Sequence, residues 1–552
     1  MKIKTLIGLN SIAAVLAACG GGDIELNPSN TVTDSNNTII EGGGTNPGTT
    51  NPCATYSINE QSFQGFPEAG NCTYTDNFVS DSRPLTVDLV IPELPNGGLH
   101  IFSDSLFVGK DVTGIDAQSG VAVPQEGEGP TLTIEAGARI AFSKSEDYLR
   151  IARGSQIHAE GTKDKPIIIS AVTDLRDGAA DEGDRGLWGG VQINGNGLTN
   201  KCPDATNCHA TAEGRPATYG GNNNSESSGV MRYVVIKHAG YEVVDGSELN
   251  GLTLNAVGSG TTIEYVQVYT TQDDGFEMFG GAVDLKYVVG VNVGDDTFDF
   301  SEGWTGNIQF ALSVANSGSN NCVEADNTGE DRADDITPLT KGRLSNLTCV
   351  TSGVDANGGL FPSSKGDSEG MVYREGAIFE LYNSIVTSND PVMSSNECLE
   401  IIDSEGPQTI GYAKAGYSIA KSNFIACTEA TKQGVDAANA DFVFSDWLNN
   451  GTNTDNVIVD ESVTGALPVT ILEGLATNPR AYITATAFAD GNATPIAIPA
   501  FDVTQLNDSF VADAVPALGA AGSSSFFEAV DFIGAVSAAN DWTAGWTVGL
   551  AE

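Results

Sequence analysis

Two acidic stretches have residue types and spacing that could do chemistry. Asp273-Asp274-Gly275-Phe276-Glu277-Met278-Phe279 is followed, 22 residues on, by Asp295-Asp296-Thr297-Phe298-Asp299-Phe300. If that offset is one repeat of a stacked structure, Asp273 lies over Asp295, Asp274 over Asp296, Glu277 over Asp299 and Phe276 over Phe298. Neighbouring strands are ~4.8 Å apart. Two like charges at about that distance repel by ~1 kcal/mol in water and several times more near a protein surface. A hard cation offsets such repulsion, and Ca2+ suits carboxylates backed by carbonyls and water. Asp273, Asp274, Glu277, Asp295, Asp296 and Asp299 are therefore the candidate calcium ligands. Other readings stay open. Asp binds backbone N–H groups in turns, which Gly275 and Gly294 mark here. Protonation, or Arg232, Lys237 or Lys286 on neighbouring strands, could also neutralise the acids.

The elements that must position these residues are repeats. LTIEAGARIAF from Leu132 and LRIARGSQIHA from Leu149 align at an offset of 17, and PIIISA from Pro166 continues the series. MRYVVIKHAGYEV (Met231), IEYVQVYTTQDDGFEMF (Ile263) and LKYVVGVNVGDDTFDF (Leu285) share a charged residue, Tyr and Val, with offsets of 32 and 22 between their tyrosines. Apolar residues alternate within each copy, which predicts strands. Short strands recurring at this spacing without helical pattern predict an all-β fold, a parallel β-helix solenoid in which each repeat is one coil. The phenylalanines then face inward, and Glu277 and Asp299 outward. Residues 53–125 are expected to form an N-terminal cap, 126–430 the solenoid, and 431–552 further strands and an irregular C-terminal cap. Trp542 and Trp546 are expected to pack that cap onto the last coil.

The ends speak to location. Residues 1–19, with Lys2 and Lys4 before an apolar run, read as a secretory signal too short to span a bilayer. Leu16-Ala17-Ala18-Cys19 resembles a bacterial lipobox, which implies that Cys19 is lipidated. Gly20 after it, by the same resemblance, sends the protein to the outer membrane. Residues 20–52 are rich in Gly, Asn, Thr and Pro and read as a flexible tether. Eight cysteines remain: Cys53, Cys72, Cys202, Cys208, Cys322, Cys349, Cys398 and Cys427. Nearest-neighbour pairing would give four local disulfides in an oxidising compartment, one connectivity among the 105 that eight cysteines allow. A metal site at Cys202, Cys208 and His209 is the rival for the second pair. A net charge of −46 excludes a nucleic-acid partner and favours cations.

GLWGGVQINGNG (Gly186), NGLTLNAVGSGTTIEYVQV (Asn250), DDGFEMFGG and FFEAVDFIGAVSAANDWTAGWT (Phe526) together resemble a family of uncharacterised right-handed parallel β-helix, pectin-lyase-like surface lipoproteins of Gram-negative bacteria. The resemblance runs from about Thr131 to Trp546. It implies a right-handed solenoid on a lipid anchor and association with TonB-dependent outer-membrane receptors. DDGF is also similar to the Asp-Asp-Gly motif of calcium-dependent pectate lyases, where a metal acidifies the proton beside a uronate carboxylate and Lys or Arg removes it. Lys286 is the candidate base for such a lyase. Its place before Tyr287 matches Arg232 and Glu264 in other repeats, which marks it equally as a generic position of the coil. The four histidines, His100, His158, His209 and His238, form no metal pair at helical spacing. Tyr241, Tyr269, Phe279 and Trp304 are candidate contacts for a sugar ring or a protein partner. The expected function is binding of a glycan or an outer-membrane receptor at the cell surface, with calcium supporting the acidic ridge; the alternative is a polysaccharide lyase acting on uronate polymers.

Overall fold

The computed structural model describes residues 51–459, apart from 244–246, 316–318, 329–332, 334, 352–369, 389–396, 404–405, 407 and 428. It also describes 526–550 apart from 529, 531 and 538–540, and the backbone of three two-residue strands between 483 and 496. The signal segment with Cys19, and the tether up to residue 50, lie outside the described residues.

Short alternating strands cannot bury a face alone, so they stack coil upon coil. Ten parallel strands form one sheet, running from Leu106–Val108 through Val191–Asn194, Leu252–Asn255, Phe276–Phe279, Phe298–Ser301 and Val323–Ala325 to Glu429–Gly434. An eighteen-stranded sheet carries the other two sides of each coil. In the middle coils one long strand supplies both sides: Gly229–Lys237, Thr262–Tyr269, Asp284–Val291 and Asn307–Val314 pair in parallel, each with the next. Each bends at one residue of positive φ: Tyr233 (49°), Tyr265 (53°), Tyr287 (58°) and Phe310 (58°). Bulky side chains rarely adopt this conformation. Here the four aromatic rings stack on one another, with centroids 4.5, 4.4 and 5.0 Å apart.

The 22-residue offset is one coil, since Phe276 pairs with Phe298 and Glu277 with Asp299. Phe276 and Phe298 are fully buried in the core and stacked at 5.3 Å. The 17-residue match is not a coil. Leu132 pairs with Ile157 in the long sheet, whereas Leu149 pairs with Leu106 in the ten-stranded one. Strands from different sides of a coil share one alternating pattern, so a self-match can join two sides.

Parallel stacking begins inside 53–125. Cys72–Tyr74 pairs with His100–Phe102, and Leu89–Ile91 with Leu132–Ile134. It continues past 430 to Val457–Val459. Trp542 and Trp546 do not cap the last coil. They lie against the outward tyrosines of the middle coils, with Trp542 5.4 Å from Tyr287 and Trp546 5.6 Å from Tyr233. The cysteines pair as Cys53–Cys72, Cys202–Cys208, Cys322–Cys349 and Cys398–Cys427. Cys202 and Cys208 are thereby removed as metal ligands, and His209 Nδ1 instead faces the Arg153 guanidinium at 3.0 Å. Four disulfides indicate an extracytoplasmic protein. No helix among the described residues is long and apolar enough to cross a membrane.

Candidate metal centre

The acidic residues form two adjacent columns along the ten-stranded sheet. The first lies on the strands, on the face turned away from the core: Thr253, Glu277, Asp299, Glu324 and Val372 are successive partners. The second lies at the turn before each strand and is knitted from coil to coil. Asn250 Oδ1 accepts from the Asp274 N–H at 3.1 Å, Asp274 Oδ1 from the Asp296 N–H at 2.9 Å, and Asp296 Oδ1 from the Asn321 N–H at 2.8 Å. Asp274 and Asp296 thus do the turn chemistry open to aspartate, but that uses one oxygen of each. Alongside, the Asn320 amide donates to Asp295 Oδ1 at 2.9 Å.

Pointing outward does not make the ridge wet. Asp274, Glu277 and Asp296 are 7%, 5% and 4% exposed. Glu277 accepts from the Asn250 amide, which also reaches Glu213 from the long insertion after Asn194, and that insertion lies over this part of the sheet. Burial pushes the carboxyls of Asp274, Glu277, Asp296 and Asp299 well above the usual range, and neighbouring carboxylates push them further. Glu324 is raised to about 8 by burial and by Asp326.

Three groups of oxygens lie within 4.8 Å of one another: Asp273 with Asp274 and Asp295, Asp274 with Glu277 and Asp299, and Asp296 with Asp299 and Glu324. A metal ion could be held by such clusters. The donors are all oxygen, the ligand type that Ca2+ takes. Asp299 is part-exposed as a residue, yet its Oδ1 is buried and has no hydrogen-bond partner. That orphan oxygen is the best mark of a missing partner. The third group differs from the others, because Arg374 already bonds Glu324 and holds Asp326 at 2.9 and 3.2 Å. Protein-supplied charge sits at that end of the ridge, while the two groups sharing Asp274 could hold an ion.

The other expected residues are placed elsewhere. Lys286 belongs to the long sheet, where it pairs with Glu264 and Gln309, and not to the acidic face. Its Nζ donates to Phe526 O at 2.9 Å and meets Glu528 at 2.8 Å, so it is neither the base of this site nor its counter-charge. Arg232 is bonded to Glu160 and Glu264, and Lys237 to Asp174. Trp304 is fully buried in the core, its indole donating to Val283 O at 3.2 Å. Tyr269 is 9% exposed beneath Gly549. Neither presents a face to a ligand. Phe279 is part-buried beneath the Lys201 ammonium at 5.4 Å, and Tyr241 is part-exposed.

Sequence reading missed Glu324, Asp326 and Arg374. Three residues inserted before Asn321 lengthen that coil, so Glu324 follows Asp299 by 25 positions and escapes the 22-residue rule. Glu-Ala-Asp at 324–326, alternating like Glu277 and Asp299, was the available signal.

Residues 121–461, more than half the chain, match the family described as the pectate-lyase-like beta helix domain. The chain belongs to that family. Comparison with curated proteins and with solved structures gives no match. In this β-helix the acids that define the ridge occupy successive coils of a single sheet, so each centre is built by the coil register.

A carboxyl whose folded pKa is raised stabilises the fold below its unfolded pKa, and that stability is lost as pH rises through the folded value. In EDTA the melting temperature should therefore fall between about pH 5 and 9, a window that includes Glu324 near 8. A Glu277→Gln/Asp299→Asn chain should show a flatter fall. Equal slopes in thermal melts of the two proteins would show that these carboxyls are not a source of the pH dependence.

Proposed function

We propose that the protein is an outer-membrane-anchored, cell-surface lipoprotein whose acidic ridge holds calcium and whose ridge-bearing face binds a glycan or an outer-membrane receptor, without catalysis. The observation that carries the metal part is the group of Asp274, Glu277 and Asp299, with its buried and unpartnered Asp299 Oδ1. Four disulfides support an extracytoplasmic setting, and Cys19 in its lipobox-like context supports the anchor. Bound calcium would hold the turns of successive coils in register and screen the stacked carboxylates. Asp274 would serve both purposes, with one oxygen on the next coil's N–H and the other toward the ion.

The expected result is a saturable rise in melting temperature on calcium titration from an EDTA-treated protein. A hundredfold excess over Kd contributes about 2.7 kcal/mol, which is a rise of a few degrees in a chain of this size. Asp274→Asn/Asp299→Asn should abolish the rise. No shift in the unaltered protein would assign the ridge to turn structure alone.

Affinity capture of the full protein from membranes separates the two binding versions. Reproducible recovery of a β-barrel receptor supports the receptor, and recovery of polysaccharide without one supports the glycan.

The family description favours a second reading, a calcium-dependent lyase acting on uronate polymers. Lys286 cannot serve it from its clamp on Glu528. Arg374 is the guanidinium at the ridge, but it is committed to Glu324 and Asp326. Incubation with a panel of uronate polymers and calcium should give no ultraviolet absorbance of unsaturated product. Such absorbance, lost in the Asp274→Asn/Asp299→Asn chain, would overturn the binding reading in favour of catalysis.

A further inference from the structure

The described residues of 526–550 lie across the outer face of the long sheet, packing apolar side chains on it and accepting or donating most of their polar contacts through the main chain. The Gln267 side-chain amide donates to Val548 O at 2.7 Å and accepts from Val548 N–H at 2.8 Å. Gln309 does the same with Glu528, donating to O at 2.9 Å and accepting from N–H at 2.8 Å. The Asn346 amide donates to Phe532 O at 3.1 Å and Gly534 O at 3.2 Å, and Thr348 Oγ1 accepts from Ala535 N–H at 2.8 Å. These bonds satisfy backbone groups and do not read the side chains that follow them.

Between the amide clamps runs the outward stack of Tyr233, Tyr265, Tyr287 and Phe310. Trp542 and Trp546 meet it edge-on and are 5% and 3% exposed. Their indoles are satisfied inside the segment, Trp542 Nε1 by Ala535 O and Trp546 Nε1 by Trp542 O, both at 2.8 Å. The segment therefore brings its own polar partners into an apolar contact. One charged contact adds register, Glu528 to Lys286.

Its attachment differs from that of a solenoid strand. The short strand Phe532–Ile533 pairs with Ile483–Thr484 and not with a strand of the long sheet. Besides the side-chain clamps, a backbone bond joins Gly534 N–H to Asn383 O. Lifting the segment breaks no rung between coils. It follows the last solenoid strand by 66 residues and docks on coils 219 and 281 positions earlier.

We propose that this face is a peptide-binding surface that grips main-chain groups of a docked segment, and that residues 526–550 are its exchangeable occupant, so that two copies of the chain can trade them. In a single copy the covalent link keeps the segment at high effective concentration, so it stays at home. Where copies are crowded, the same contacts are available from a neighbour, the low-cost route to association by segment exchange.

The test keeps the full chain, with a specific protease site inserted after Asp508, folded and then cut. The cut segment should co-elute with the solenoid. A labelled synthetic peptide of residues 526–550 should then replace it within hours, well below the melting temperature. Gln267→Ala/Gln309→Ala in the cut chain should weaken peptide binding at least tenfold while the circular dichroism of the sheets is unchanged. A peptide carrying Trp542→Ala and Trp546→Ala should fail to enter the unaltered solenoid, which decides the matter if the double-Ala chain does not fold. A segment that leaves at once, with no peptide binding, would overturn the proposal. So would one that stays without exchange until the solenoid melts.

Discussion

Every coil of this chain puts its side chains one strand spacing above those of the coil before, and that register is the constraint on which the rest depends. It favours like over like where contact is apolar. Phe276 on Phe298, and Tyr233 on Tyr265 on Tyr287, gain stacking and burial from the repeat. It penalises like over like where the residues are charged. Glu277 on Asp299 on Glu324 stacks three carboxyls in a partly buried column, where repulsion is stronger than in water. The same geometry that makes the core cheap makes the ridge expensive, and an expensive arrangement persists where a partner offsets it.

How far the sequence revealed this follows from where insertions fall. Between the coils of Phe276 and Phe298 there are none, so the 22-residue offset, the inward phenylalanines and the outward acids are all readable. One coil later a three-residue insertion hides Glu324, and Arg374 lies 50 positions beyond Glu324, outside any 22-residue rule. Lys286 and Trp304 sit close to the acids in sequence, but a coil turns a corner between sheets within a few residues. Lys286 therefore faces the C-terminal segment, and Trp304 enters the core against Phe300. Proximity along the chain is a poor guide to proximity in a solenoid, whereas position modulo one coil is a good one. The 17-residue match failed for that reason, since it compared strands from two sides of the coil.

Trp542 and Trp546 show a different limit. Their sequence says that they need burial, and an end cap is the simplest place for it. The outward aromatic stack offers another, because a sheet whose outer face carries Tyr233, Tyr265, Tyr287 and Phe310 has a second apolar surface to cover. The positive φ of those four residues turns the strand and leaves their rings stacked outside the core. No alternation pattern announces this, since the bend interrupts the period of two.

The two outer faces solve opposite problems with different means. On the aromatic face the chain covers its own exposed surface, using side-chain amides to satisfy the backbone of the covering segment. On the acidic face a guanidinium sits, among the described residues, at one end. Arg374 reaches Glu324 and Asp326, while the nearest side-chain donor to Glu277 is the neutral Asn250 amide. A neutral amide can satisfy a lone pair but cannot compensate a charge. Burial and neighbouring carboxylates push the carboxyls at the Asp274 end toward protonation, and a divalent ion, which could be held by the oxygens converging around Asp299, compensates more charge per site than a proton does.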